Sequence, residues 1–167
     1  MARRNWILSN LTSQALVHSL RTAIAATVSL MAARLVRMPE AYWAAITTLI
    51  VMQSTLGSAL TVSWKRLVGT ALGAAVGALV TTVLPSNAAI FGLTVLALGL
   101  ISALLHLDRT AYRFAGITAA IVMLVVRTAP AWLVATHRFV EVAVGIVVGL
   151  ALTAIWPERQ AAIYRDS

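Results

Sequence analysis

The chain contains no cysteine, which excludes disulfide bonds, thiol catalysis and metal sites with cysteine ligands. Its three histidines, His18, His106 and His137, stand too far apart for the ligand spacing of a metal site. No nucleophile, base and metal-ligand set converges in the sequence, and no nucleotide-binding motif is present. We therefore expect a protein that is not an enzyme and that needs neither a metal nor a cofactor.

Acidic residues are also scarce, because five Asp and Glu stand against 13 Lys and Arg, for a net charge of +8. In a soluble protein this excess of basic residues would indicate nucleic acid as the partner. Here the basic residues are scattered between apolar runs, a pattern that fits loop topology and anionic lipid. The sequence thus predicts a lipid bilayer, and not nucleic acid, as the partner.

Hydrophobic residues make up 60% of the chain, and its mean hydropathy is +0.90. Charged residues make up only 11%, less than half of the roughly 25% found in soluble domains. Such a composition is incompatible with an ordinary soluble surface. The prediction is an all-α integral membrane protein.

Six apolar runs predict six transmembrane helices, each near the roughly 20 residues that a bilayer requires. The predicted spans are 14–36, 41–59, 64–84, 88–106, 111–127 and 137–156. The division of the chain is then a cytoplasmic N-terminal segment (1–13), a six-span membrane module (14–158) and a cytoplasmic tail (159–167).

The distribution of basic residues predicts the orientation of these spans. With the N-terminus in the cytoplasm, eight Lys and Arg fall on the cytoplasmic side and four on the other. Because cytoplasmic loops carry the excess of positive charge, we expect a multi-pass protein with both termini in the cytoplasm.

Two segments of the chain resemble each other. The stretch AAITTLIVM (44–52) is identical to AGITAAIVM (115–123) at six of nine positions. Four further residues align at a constant offset with four others: Arg66, Gly73, Gly77 and Pro85 with Arg138, Gly145, Gly149 and Pro157. These matches predict two repeated units, about 14–85 and 86–157. Because each unit has three spans, an odd number, the second unit would cross the membrane in the opposite direction, as in an inverted repeat. The alternative is chance, since membrane helices use few residue types.

Glycines recur on one face of the third and sixth predicted spans. Gly69, Gly73 and Gly77 are four residues apart, and so are Gly145 and Gly149. Small residues at this spacing let two helix backbones approach closely. We interpret both stripes as helix-packing faces.

Arg66 and Arg138 stand near the beginning of the two repeat-related spans. A helix N-terminus already favours negative charge, so a cation there is typical of an anion path rather than of an anchor. In an inverted pair, Arg66 would lie at the cytoplasmic mouth and Arg138 at the outer mouth. The alternative is a pair of interfacial anchors.

The other candidates for the substrate path are Arg21, Arg113, Lys65 and Glu141. Arg21 lies inside the first span, as either an anchor that snorkels to the headgroups or a functional group. Arg113 and Lys65 are candidates for the inner mouth. Glu141 either pairs with Arg138 one turn away, tunes the charge of the outer mouth or carries protons.

Several of these residues form motifs that resemble a known family. Tyr42-Trp43-Ala44-Ala45, Gly57, Lys65-Arg66-Leu67-Val68-Gly69-Thr70, Gly73 and Gly77 are similar to the signature of the fusaric acid resistance protein-like family, the aromatic acid exporters. The second half resembles the end of the same membrane module through Arg138, Glu141, Gly145, Gly149 and Pro157.

This resemblance implies export of aromatic carboxylates and related anions across the bacterial inner membrane. In some members of the family a periplasmic adaptor protein is a partner. A similar six-helix module occurs in the plant aluminium-activated malate transporters, in which a dimer encloses a basic anion pore.

We therefore expect a six-span homodimer of the inner membrane that moves organic anions out of the cell. The alternative is a membrane scaffold or subunit that supports a larger efflux assembly without transporting anything itself, which the single small module favours. The sequence does not distinguish a channel from a carrier, and it identifies neither the substrate nor the source of energy.

Overall fold

Helices account for all regular structure in the described part of the chain. The computed structural model describes residues 2–53, 55–125 and 129–156, and the side chains among them from residue 15 onward. The helices are α1 (Ala2–Leu35), α2 (Tyr42–Val51), α3 (Leu56–Val83), α4 (Ala88–Leu104), α5 (Arg109–Leu124) and α6 (Ala131–Ile155). The all-α class and the order of six helical segments are confirmed.

The prediction of one continuous helix over 41–59 is wrong, because this stretch contains α2 and the beginning of α3. α2 contains 10 residues, about 15 Å of helix. It ends because Met52 adopts an extended conformation (φ −60°, ψ 107°). Thr55 then begins α3 as its N-cap, since its hydroxyl accepts a hydrogen bond from the backbone N–H of Ser58. The residues after Thr55 consequently belong to α3.

α3 and α6 also begin earlier than the sequence predicts, at Leu56 instead of 64 and at Ala131 instead of 137. Pro130 directly precedes α6, where its missing N–H costs no helical hydrogen bond. Arg66 therefore lies in the third turn of α3, and Arg138 about two turns into α6. The prediction that both arginines sit at helix N-termini is wrong.

Three helical segments are long and apolar enough to cross a membrane: Ala15–Leu35, Leu56–Val83 and Ala131–Ile155. α2 and α4 are apolar but shorter, so six membrane crossings are not confirmed. Large apolar side chains on the outer surfaces, such as Leu35, Leu104 and Ile155, are 78–84% exposed. Such surfaces are those of a multi-pass membrane protein whose helices face lipid.

The helices pack in two parallel pairs. Gly69, Gly73 and Gly77 of α3 face Ala111, Ala115 and Ala119 of α5 in the same order. Gly145 and Gly149 of α6 likewise face Ala44 and Val51 of α2. α3 of one pair and α6 of the other pack against each other in antiparallel orientation. Ala74, in the second half of α3, packs near the beginning of α6 at Ala135, whereas Ala59, near the beginning of α3, packs with Ile146, further along α6.

The closest backbone approach occurs once in each pair. A Cβ atom added to Gly73 would collide with the carbonyl oxygen of Ala115, and one added to Gly145 would collide with that of Ala44. Ala44 and Ala115 are the first aligned residues of the two similar segments. Glycine is required at both positions because the facing backbone, and not a flexible side chain, occupies the space.

Gly73→Ala should destabilise the protein, because α3 and α5 must separate to admit the new methyl group. Overpacking of this kind typically costs about 1–3 kcal/mol. Thermal unfolding of purified protein in detergent measures the change. Gly92→Ala in α4 is the matched control, since no atom lies within 4 Å of a Cβ added there. Equal unfolding temperatures for the two variants would contradict the assigned packing.

Candidate functional site

Two buried arginines each stack on an aromatic ring of another helix. The Cζ atom of Arg66 lies 4.5 Å from the ring centroid of Phe114. The Cζ atom of Arg138 lies 4.9 Å from the ring centroid of Trp43. Phe114 immediately precedes Ala115, and Trp43 immediately precedes Ala44. The aromatic rings of the two stacks thus directly precede the two similar segments, 44–52 and 115–123.

Both arginines lie within five residues of the midpoints of their helices. Arg66 is three to four residues from the midpoint of α3, about 5 Å along the axis. Arg138 is five residues from the midpoint of α6, about 7 Å. The side chain of Leu67, next to Arg66, packs with Val142 and Ile146 near the middle of α6. Both side chains are buried within the bundle, and their placement at the two mouths of a substrate path stays a prediction.

Arg138 is held by two carboxylates. Its Nη2 pairs with Oε2 of Glu40 and lies 2.9 Å from Oε2 of Glu141. Oε1 of Glu141 accepts a hydrogen bond from the backbone N–H of Glu40 at 3.1 Å, and Trp43 Nε1 donates to Glu40 Oε2 at 3.0 Å. We call Arg138, Glu40, Glu141 and Trp43 the Arg138 cluster. In it, Glu141 pairs with Arg138, the first of the predicted alternatives.

Arg66 has no such partner in the part of the chain that the structure describes. It is 3% exposed, no described carboxylate lies within ion-pair distance, and its Nε has no hydrogen-bond acceptor. Burying an unpaired ion costs several kcal/mol, whereas a desolvated cation–π contact is worth about 2 kcal/mol. The stack on Phe114 therefore leaves most of the cost of burying this cation uncompensated.

The missing carboxylates have a direct origin in the sequence. Glu141 stands three residues after Arg138, and Glu40 stands four residues before Ala44. The corresponding positions in the other half are Gly69, three residues after Arg66, and Ala111, four residues before Ala115. Gly69 packs directly on the carbonyl oxygen of Ala111. Close backbone packing thus takes the place of the two acidic side chains.

Two buried hydroxyls lie on the same face of α3 as Arg66. Ser63 is 4% exposed and Thr70 is fully buried, and neither hydroxyl oxygen has a hydrogen-bond partner among the described residues. Ser63 stands three residues before Arg66 and Thr70 four residues after it, so each is one helical turn away. We call Arg66, Phe114, Ser63 and Thr70 the Arg66 site.

The chemistry of the Arg66 site suits a carboxylate. A guanidinium donates two parallel N–H bonds to a carboxylate in a charge-assisted pair, and a hydroxyl can donate a further bond. No set of three His, Asp or Glu side chains in the described ranges is arranged to bind a metal ion. The site therefore offers positive charge and hydrogen-bond donors to a carboxylate ligand.

Arg21 is buried inside the protein instead of snorkelling to the headgroups. Its Nη1 donates to the backbone carbonyl of Trp156 at 2.8 Å, and its Nη2 donates to that of Gln53 at 2.9 Å. These carbonyls follow the C-terminal ends of α6 and α2, where unpaired carbonyls favour a cation. Arg21 thus joins two helix ends to α1.

The remaining predicted path residues, Lys65 and Arg113, directly precede Arg66 and Phe114 in the chain but are less buried than these two residues. Arg113 is exposed on the surface of α5. Lys65 pairs with Asp108, the N-cap of α5. The Lys65 ammonium and then the backbone N–H of Ala111 lower the pKa of the exposed Asp108 carboxyl. Lys65 therefore ties α3 to the beginning of α5.

Sequence reasoning missed Glu40, Ser63 and Phe114 as members of these two sites. Glu40 had a detectable signal, because it is one of only five acidic residues in the chain and precedes an apolar helix. Phe114 had one too, since it aligns with Trp43. Ser63 carried no signal that distinguishes it from other small polar residues of membrane helices.

Arg21→Met should destabilise the protein, because the backbone carbonyls of Trp156 and Gln53 lose charge-assisted hydrogen bonds worth roughly 1.5–3 kcal/mol each. Chemical or thermal unfolding in detergent measures the loss. Arg34→Met is the matched control, since Arg34 is exposed on the same helix. An Arg21→Met protein as stable as the Arg34→Met protein would show that Arg21 does not hold the helix ends.

The match to a protein family covers both sites. A family model described as fusaric acid resistance protein-like matches residues 23–152, a range that includes the Arg66 site and the Arg138 cluster. Comparison with curated proteins and with solved structures gave no match. The similarity to the plant malate transporters stays a prediction.

Proposed function

The chain belongs to the fusaric acid resistance protein-like family, and from that premise we propose that it transports organic anions, with Arg66 as the binding group. Membership of this family suggests a membrane transporter or an efflux-related protein. The anion class rests on the Arg66 site, and aromatic carboxylates are the favoured substrates because of the family resemblance.

The observation that carries the proposal is the difference between two similar arginine stacks. Arg138 lies over Trp43 and holds two carboxylates of the chain. Arg66 lies over Phe114 and holds no described carboxylate. A substrate carboxylate bound to Arg66 would supply the missing negative charge. The protein thus contains, in the Arg138 cluster, an example of how such a stack binds a carboxylate.

The depth of the Arg66 site supports transport. Substrate sites of many transporters lie near the bilayer midplane, where the halves of an inverted repeat meet. Arg66 lies near the middle of α3 and stacks on a helix from the other half of the chain. At 3% exposure it is closed to solvent, so we assign this structure to a closed state of the path.

The proposed architecture is an inverted repeat of two three-helix units. Its support is the paired packing, in which Gly73 contacts Ala115 as Gly145 contacts Ala44. We further propose a homodimer in the bacterial inner membrane with cytoplasmic termini, on the distribution of basic residues and the family resemblance. A periplasmic adaptor is a proposed partner on the same resemblance.

Arg66→Ala should lower the flux of an aromatic carboxylate such as benzoate into proteoliposomes by about 10- to 100-fold, the loss expected for one charge-assisted pair. Arg66→Lys should recover part of the flux, because an ammonium keeps the charge but not the two parallel donors. Arg34→Ala removes an exposed arginine and should leave the flux unchanged. Size-exclusion chromatography checks the assembly of each variant.

Wild-type flux in the Arg66→Ala protein would remove Arg66 from the path. Wild-type protein that passes no anion at any voltage or pH gradient would instead favour the scaffold role. Loss of folding in Arg66→Ala, with full flux in Arg66→Met, would return Arg66 to a structural role.

A further inference from the structure

We infer that a cavity between α4 and the beginning of α5 binds an anionic phospholipid, and that Arg109 holds the lipid phosphate. This cavity is separate from the Arg66 site and the Arg138 cluster. It would bind lipid whether or not the protein transports anions.

The cavity has a volume of about 260 Å³, and leucines form most of its apolar lining: Leu96, Leu100 and Leu107. Leu96 and Leu100 are each 60% exposed on the outer surface of α4, where apolar side chains of a membrane protein face lipid. The ring of Tyr112 in α5 completes this part of the lining and packs on Gly99 of α4. A ligand can therefore enter the cavity sideways from the acyl chains of the bilayer.

Arg109, the first residue of α5, brings a positive charge to the lining. It is exposed and forms no ion pair or hydrogen bond with the side chains that the structure describes. The neighbouring carboxylate, Asp108, is engaged elsewhere, because it pairs with Lys65 and accepts the backbone N–H groups of Thr110 and Ala111. The Arg109 guanidinium is thus available to an anion.

Ser102 adds an unsatisfied hydroxyl to the same cavity. It lines the cavity near the end of α4 and is 3% exposed. Its hydroxyl oxygen has no hydrogen-bond partner among the described residues, which is unfavourable for a buried polar group. A serine hydroxyl turns by rotation about one bond and can donate to a phosphate oxygen. A polar ligand in the cavity would therefore satisfy this group.

The polarity of the cavity changes along α4. Leu96 lies eight residues before the end of the helix, about 12 Å along the axis, whereas Ser102 and Arg109 lie next to the turn that joins α4 to α5. A phospholipid has the same order, with acyl chains deep in the bilayer and the phosphate at its surface. In the proposed orientation this turn is cytoplasmic, on the leaflet that carries anionic lipids.

An anionic phosphate suits these groups better than a zwitterionic headgroup does. Arginine binds phosphate oxygens through two parallel N–H bonds, and none of the described lining residues is acidic. A choline group would bring a second positive charge toward Arg109 without a carboxylate to receive it. The assigned occupant is therefore one anionic phospholipid, with a chain on Leu96 and Leu100 and its phosphate on Arg109.

Thermal unfolding of the full chain in a neutral detergent tests this site. Dioctanoyl phosphatidylglycerol is the anionic probe, and dioctanoyl phosphatidylcholine has the same chains without net charge. Phosphatidylglycerol should raise the unfolding temperature of the wild type more than phosphatidylcholine does, because a ligand that binds the folded state stabilises it. Arg109→Ala should weaken the affinity for phosphatidylglycerol by about 10- to 100-fold. Arg109→Lys should keep part of the affinity, because it keeps the charge.

Two further variants separate binding from folding. Arg34→Ala removes an exposed arginine of α1 that does not line the cavity and should bind phosphatidylglycerol as the wild type does. Ser102→Ala should weaken binding severalfold without lowering the unfolding temperature of the lipid-free protein, since no described group loses a hydrogen bond.

Three results would overturn the lipid site. The first is equal affinity of the wild type and Arg109→Ala for phosphatidylglycerol. The second is equal protection by phosphatidylcholine, which would show an apolar groove that does not recognise an anion. The third is protection by inorganic phosphate alone that Arg109→Ala abolishes, which would assign the cavity to a free anion. None of these results changes the benzoate flux, so the lipid site and the proposed function can fail independently.

Discussion

A guanidinium buried between apolar helices must be compensated, and this constraint organises the protein. Arg21 is compensated by backbone carbonyls at the ends of two helices, and Arg138 by two carboxylates. Arg66 has neither among the described residues, although its stack on Phe114 matches that of Arg138. Burying one unpaired ion costs more free energy than one cation–π contact supplies. The simplest source of the missing negative charge at the Arg66 site is therefore an anion from outside the chain.

Glycine packing brings the arginines to their aromatic partners. At Gly73 and Gly145 the facing backbone leaves no room for a methyl group, so α3 lies directly on α5 and α6 directly on α2. Each close pair joins a helix of one half of the chain to a helix of the other. Without this approach, Arg66 would not reach a ring on α5, nor Arg138 a residue on α2. Packing and charge compensation are therefore parts of one arrangement.

The sequence predicted the helical class, the six helical segments and the family, because apolar periodicity and spaced motifs are local signals. It placed the ends of α2, α3 and α6 wrongly, since the break at Met52 follows from backbone conformation and capping rather than from hydropathy. It predicted Arg66 but missed Phe114 and Ser63, because contacts between helices depend on packing. The pairing of Arg138 with Glu40 spans nearly 100 residues of sequence, and no local pattern indicates it.

The most direct test of the central claim supplies Arg66 with a carboxylate from the chain itself. Ser63→Asp places one on the preceding turn of α3, and Ser63→Asn is its uncharged counterpart. Benzoate flux and unfolding temperature should be measured for both proteins. We predict that Ser63→Asp is at least as stable as Ser63→Asn and has lost benzoate flux, because Asp occupies the position of the substrate. Equal flux in the two variants would contradict the claim that Arg66 binds the transported anion.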